Sequence, residues 1–119
     1  VDSHMQAVSA GMTGPDVATV TVSHSGSTVE TVLATRLAQA AGARTIGITR
    51  LGKSPLAAHC EVLLYTVANE TRYRPEAMSS RVAQLAIIDT LVSCCALTDT
   101  ERSVERLQHA ARILSEKRY

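Results

Sequence analysis

The sequence contains no Phe and no Trp, and aromatic residues make up only 3% of its 119 positions. Its core must therefore be assembled from Val, Leu, Ile, Ala and Met. The same absence removes the platforms on which single strands and unstacked bases are held. An excess of charge of one sign is also lacking. The formal net charge is +1 with 19% charged residues, so no global field draws the protein to DNA or to an anionic surface. Cysteine is scarce: Cys60, Cys94 and Cys95 are odd in number, two are adjacent, and none forms a C-x-x-C pair or a His/Cys cluster. That excludes a zinc pattern and a disulfide framework, and predicts reduced core cysteines in a cytoplasmic protein that holds no metal or cofactor. No apolar stretch of about 18 residues runs without a polar break, and no signal-peptide pattern is present, so no membrane partner is expected. G-x-G-x-x-G does not occur, and no Gly-Lys-Ser/Thr follows the loop Ser23–Thr28, so that loop is neither a dinucleotide fingerprint nor a P-loop.

What remains is the composition of one globular domain, with 45% hydrophobic residues and no internal repeat or linker. Residues 4–12 read as a short helix carrying Met5, Val8 and Met12, ended by the Gly14-Pro15-Asp16 turn. The β-branched run Val17–Val22 predicts a buried strand, followed by the small-residue loop Ser23–Ser27. A helix opens at Thr28. Ser27 and Glu30 make a capping box, apolar residues at 29, 32, 33, 37 and 40 keep the helical period, and Gly42 stops it. Thr45–Thr49 and Val62–Thr66 predict two further strands, with a short helix over Ser54–His59 led by Pro55. Residues 77–97 form a helix apolar on nearly every side, expected to be buried. Thr98 and Glu101 make a second capping box before a closing helix over about residues 99–117, whose Val104, Leu107, Ala111 and Leu114 form a narrow seam. Strands alternating with helices mean an α/β fold with a parallel sheet. Three strands make such a sheet thin, because a parallel sheet needs cover on both faces.

The loop Ser23-His24-Ser25-Gly26-Ser27-Thr28 is placed where chemistry is expected. It follows a strand and opens a helix, and ligands of open α/β sheets bind beyond the carboxyl ends of the strands. A helix N-terminus presents unpaired N–H groups to an anion. Gly26 allows close backbone approach, and four hydroxyls in six residues add donors. The bland alternative is a polar βα turn with a good cap, where Ser and Gly are also common.

The stretch from Asp16 to Glu30 resembles the central motif of the sugar-isomerase (SIS) family, a strand followed by Ser-x-Ser-Gly-x-Thr-x-Glu. Glu76-Ala77-Met78-Ser79-Ser80-Arg81, followed by Gln84-Leu85, resembles that family's second ligand-contacting segment. Residues 42–49 and Ser54-Pro55-Leu56-Ala57 also fit, so the resemblance runs over most of residues 4–97. It implies a flavodoxin-like, doubly wound sheet of five parallel strands. It also implies a phosphate held by Ser23, Ser25 and Thr28, with His24, Gly26 and Ser27 assisting. A sugar would be met by Ser79, with Ser80, Arg81 and Glu76 in the same segment, and a homodimer or tetramer is implied. Family members begin with a strand and a Gly/Ser-rich turn that also touches the sugar, and neither occurs here. Ser3-His4-Met5 reads either as the scar of a cleaved affinity tag or as natural sequence. In the favoured second reading, residues 2–7 resemble the segment after the family's second strand, so residues 1–119 would be the C-terminal part of a single SIS domain.

Two functions follow from the resemblance. The Ala-Met-Ser-Ser-Arg segment and the charged closing helix look like the effector domain of RpiR-type transcriptional regulators, in which a separate N-terminal helix-turn-helix domain binds DNA. No basic recognition helix is present here. Arg102, Arg106, Arg112, Lys117 and Arg118 alternate with Glu101, Glu105 and Glu116, the pattern of a solvated face. The alternative is an aldose–ketose isomerase, which needs a base between C1 and C2. Glu76 is the first candidate base, with Glu70, His59 and His24 behind it. No poised acid–base pair stands out, which favours sensing over catalysis. Arg81 is expected to hold the sugar phosphate, a carboxylate such as Glu76, or an interface partner.

Overall fold

The computed structural model describes residues 3–67 and 78–116. The element order is α1 (Ser3–Gly11), β1 (Ala18–Val22), α2 (Val29–Ala40), β2 (Arg44–Arg50), a 3₁₀ turn (Leu56–His59), β3 (Val62–Thr66), α3 (Met78–Thr98) and α4 (Thr100–Glu116). The chain divides into two compact units, Val1–Gln84 and Leu85–Tyr119.

In the first unit the strands form a parallel sheet in the order β1-β2-β3. The three predicted strands and the α/β class are therefore present, in a sheet thinner than the family's. Register puts Val20, Ile46 and Val62 in one row and Val22, Ile48 and Leu64 in the next. The alternating residues face α2, where Thr21 and Thr35 share a hydroxyl hydrogen bond of 2.8 Å. Ile48 and Leu56 are fully buried, and small residues Ala34, Ala38 and Ala43 let backbones approach. With no aromatic ring available, threonines fill the rest. Buried Thr45 donates to the His59 carbonyl at 2.8 Å and accepts from the Glu61 amide at 3.2 Å, so its hydroxyl is satisfied on both sides. Half-buried Cys60 sits beside this joint, and burial pushes its thiol pKa up.

Several local expectations are corrected. The Ser27–Glu30 capping box does not form. The Ser27 amide instead donates to Ser25 Oγ at 3.2 Å, and Thr28, extended at φ −64° and ψ 118°, is the N-cap. Gly42, at φ 92°, does stop α2. The Ser54–His59 helix is only a 3₁₀ turn, with Pro55 as its cap. Met5 and Val8 of α1, and Met12 just after it, are exposed, because α1 turns Gln6, Ala7 and Ala10 inward instead.

In the second unit, Thr98 does not cap α4. Its hydroxyl turns back to the Cys94 carbonyl at 2.9 Å, and Asp99 Oδ1 accepts from the Arg102 amide at 3.1 Å instead. The expected burial of α3 and the expected core cysteines are also corrected. None of residues 85–116 is buried, and Leu85, Val92, Leu97, Cys94 and Cys95 are exposed. Composition predicts that a helix seeks cover; it does not say that one copy of the chain supplies it. By length and composition Ser79–Thr98 is also the one described helix able to cross a membrane. Arg81, Gln84 and Asp89 interrupt it.

Candidate functional site

The site begins where β1 ends. The Ser23 amide still pairs with the Ile48 carbonyl at 3.0 Å, so the loop leaves the sheet from a fixed point. Ser23 is buried, and its Oγ accepts from the Gly26 amide at 3.1 Å and lies 3.5 Å from Thr28 Oγ1. Ser25 is exposed and accepts from the Ser27 amide. Ser23 thus holds the loop from inside, while Ser25, Ser27 and Thr28 remain at the surface.

Gly26 is the tightest point. Its φ of +67° lies in the left-handed region, and a Cβ there would come within 2.4 Å of Ser54 Oγ and 2.9 Å of Thr49 Oγ1. Its carbonyl accepts from the Leu56 amide at 2.9 Å. The segment after β2 therefore forms the floor of the loop. Two more bonds tie the loop to β2, from Thr49 Oγ1 and the Arg50 amide to the His24 carbonyl, at 3.3 Å and 3.2 Å.

The helix start is open. An α-helix leaves its first amides without intrahelical acceptors, and Thr28 contributes no side-chain cap. The first turn of α2 thus offers N–H groups and a partial positive charge beside three surface hydroxyls, an arrangement suited to an anion. A cavity of about 220 Å³ between α1, β1 and α2, lined by Gln6, Ser9, Thr21 and Thr35 among others, contains none of the loop residues.

The second predicted segment is only partly described. Glu76 and Glu70 lie outside the described residues. Ser79 is half-buried, Ser80 fully buried and Arg81 exposed, with no ion pair to any described residue. His59 bonds through Nδ1 to Gln39 Oε1 at 3.1 Å, which joins the 3₁₀ turn to α2. No metal-ligating cluster occurs among the described residues. Sequence reasoning missed Thr49 and Ser54 as the floor of the loop. Nothing in their local pattern marks them, because contact with Gly26 exists only once β1 and β2 are paired.

Residues 2–94 match the model of the SIS domain. The chain belongs to the SIS domain family. The match begins before Ser3-His4-Met5 and runs through most of α3, so that apolar helix is part of a known domain. This SIS chain is 39% identical over 115 residues to an uncharacterised HTH-type transcriptional regulator of Caldanaerobacter subterraneus subsp. tengcongensis, covering 96% of the chain and 40% of that protein. It is 34% identical over 118 residues to another such regulator, of Thermotoga maritima, covering 99% of the chain and 42% of the relative. Among solved structures it resembles the Vibrio vulnificus NanR protein complexed with ManNAc-6P. The TM-score is 0.82 at 27% identity, over 97% of the chain and 43% of the other. The chain therefore spans about two fifths of the length of these relatives, and the expected likeness to regulators of this type holds.

Proposed function

We propose that this SIS chain is the effector-sensing part of a transcriptional regulator, and that Ser23–Thr28 holds the phosphate of a phosphorylated sugar. The observation that carries the reading is the uncapped start of α2, with exposed Ser25, Ser27 and Thr28 around it, at the carboxyl end of a parallel strand. Hydrogen bonds to a charged group contribute roughly 1.5–3 kcal/mol each, so three or four hold a phosphate without Lys or Arg. Similarity to HTH-type regulators and to NanR in complex with ManNAc-6P supports the same assignment. The sugar itself would be met by Ser79, Arg81 and Glu76, whereas Ser80, also expected there, is fully buried, and DNA by a helix-turn-helix domain elsewhere in the parent protein. The protein would work in the cytoplasm, without a cofactor.

The test is a thermal-shift screen of the full-length protein against hexose, pentose and amino-sugar phosphates, with each hit followed by NMR. A stabilising ligand that stays chemically unchanged is the expected result. Conversion of a hit to its aldose or ketose partner would make the protein an isomerase, with Glu76 the first base to replace. No stabilisation by any phosphorylated sugar would overturn the binding claim.

We also infer self-association into a dimer or tetramer through α4. At the helical period its charged residues, from Glu101 to Glu116, fall on one side. The opposite strip, Ser103, Val104, Leu107, Gln108, Ala110, Ala111, Leu114 and Ser115, carries no charge, yet Leu107 is 71% and Leu114 66% exposed. A neutral strip of apolar and small residues meets an identical copy without like-charge repulsion, as a two-fold interface requires. Leu107→Glu is expected to shift the full-length protein to monomer in sedimentation velocity. An unchanged sedimentation coefficient would remove α4 from the interface.

A further inference from the structure

Three buried polar atoms in the described chain have no hydrogen-bond partner: His24 Nδ1, Ser54 Oγ and Thr66 Oγ1. Ser54 lies beneath Gly26. Of the other two, His24 belongs to the cradle loop and Thr66 ends β3. Register places Thr66 opposite Arg50, and the Arg50 amide donates to the His24 carbonyl. His24, Arg50 and Thr66 therefore lie side by side across the carboxyl ends of β1, β2 and β3. Thr66 is only 4% exposed, so its unmet hydroxyl is already stripped of water. Arg50 is exposed, and among the described residues its guanidinium meets no carboxylate; the ion pair on this strand belongs to Arg44 and Glu61, at the other end. An unspent cation on the strand between those that carry two unsatisfied hydrogen-bonding atoms is a donor set for an anion. The cradle contains no Lys or Arg.

We propose that Arg50 and Thr66, with His24 at the edge of the cradle, form a second anion subsite, which selects phosphorylated sugars bearing another acidic group, a carboxylate or a second phosphate. The proposal rests on the phosphosugar reading of Ser23–Thr28.

The experiment is isothermal titration of the full-length protein with glucose 6-phosphate, 6-phosphogluconate and fructose 1,6-bisphosphate. At least one doubly acidic ligand is expected to bind about tenfold or more tightly than glucose 6-phosphate, and which one identifies the second group as carboxylate or phosphate. Arg50→Gln is expected to bring that ratio close to one. Thr66→Val, which keeps the volume and removes the orphan hydroxyl, lowers the ratio without lowering the melting temperature. Arg44→Gln, at the amino end of the same strand, leaves the ratio as it was. Equal affinities for all three ligands in the wild type, a ratio unmoved by Arg50→Gln, or an equal loss in Arg44→Gln, which marks a net-charge effect, each overturn the subsite and leave the cradle standing. If no phosphorylated sugar binds, the cradle reading fails and the subsite falls with it.

Discussion

Gly26→Ala is expected to abolish phosphosugar binding and to lower stability by roughly 2–5 kcal/mol. Two causes add. A left-handed φ of +67° costs an L side chain about 1–2 kcal/mol. The new methyl group would also press on Ser54 Cβ at 2.5 Å and Ser54 Oγ at 2.4 Å, a contact relieved only by moving the loop or the segment after β2. Overpacking of this kind costs about 1–3 kcal/mol. Because the Gly26 carbonyl holds the Leu56 amide, movement of either side breaks that bond as well. Denaturant unfolding and ligand titration, both at a temperature where the variant is folded, give the two quantities. Adding Ser54→Gly to Gly26→Ala should restore part of the stability by removing the clash with Ser54, while leaving the φ cost and the 2.9 Å contact with Thr49 Oγ1. A Gly26→Ala protein that unfolds and binds like the parent would mean that the loop is not seated on Ser54.

Replacing Ser25 by Ala is expected to reduce phosphosugar affinity by roughly 10- to 150-fold, the loss of one hydrogen bond to a charged group. Stability should change by less than about 0.5 kcal/mol, because Ser25 is exposed and the Ser27 amide it releases is free to bond water. Ser23→Ala should behave differently. Its hydroxyl is buried and accepts from the Gly26 amide, so removing it strands a buried donor at a cost of about 1–3 kcal/mol, with binding weakened as the loop relaxes. Titration calorimetry and denaturant unfolding on the two variants separate the ligand-facing serine from the loop-holding one. Normal binding by Ser25→Ala would refute the cradle assignment. Equal destabilisation by the two variants would refute the division of roles.

The succession of strands along the chain and the cradle loop were readable before any coordinates. Val17–Val22 is β-branched and short, the next segment keeps the helical period, and both signals are local. The details of the helix start were not. Ser27 and Glu30 satisfy the capping-box pattern, yet the Ser27 amide bonds Ser25 and the helix starts one residue later. Several cap geometries fit one short string of Ser and Thr, and the choice depends on where β2 and the segment after it hold the loop. The apolar run of α3 likewise announces a need for cover, but the described residues 85–116 include none that is buried. Hydrophobicity states how much surface seeks burial and is silent on which surface provides it.

Sequence alone determined the α/β class, the succession of strand, hydroxyl-rich loop and helix, the absence of a dinucleotide fingerprint, and the charge-segregated closing helix. These follow from period, turn chemistry and composition, which act over a few residues. Tertiary structure decided which serine holds the loop and which faces outward. It also put Thr49 and Ser54 beneath Gly26, and lined up His24, Arg50 and Thr66 at the end of the sheet. The last two relations join residues 16 to 42 positions apart in the chain. They are set by strand register, which comes into being only when the strands pair.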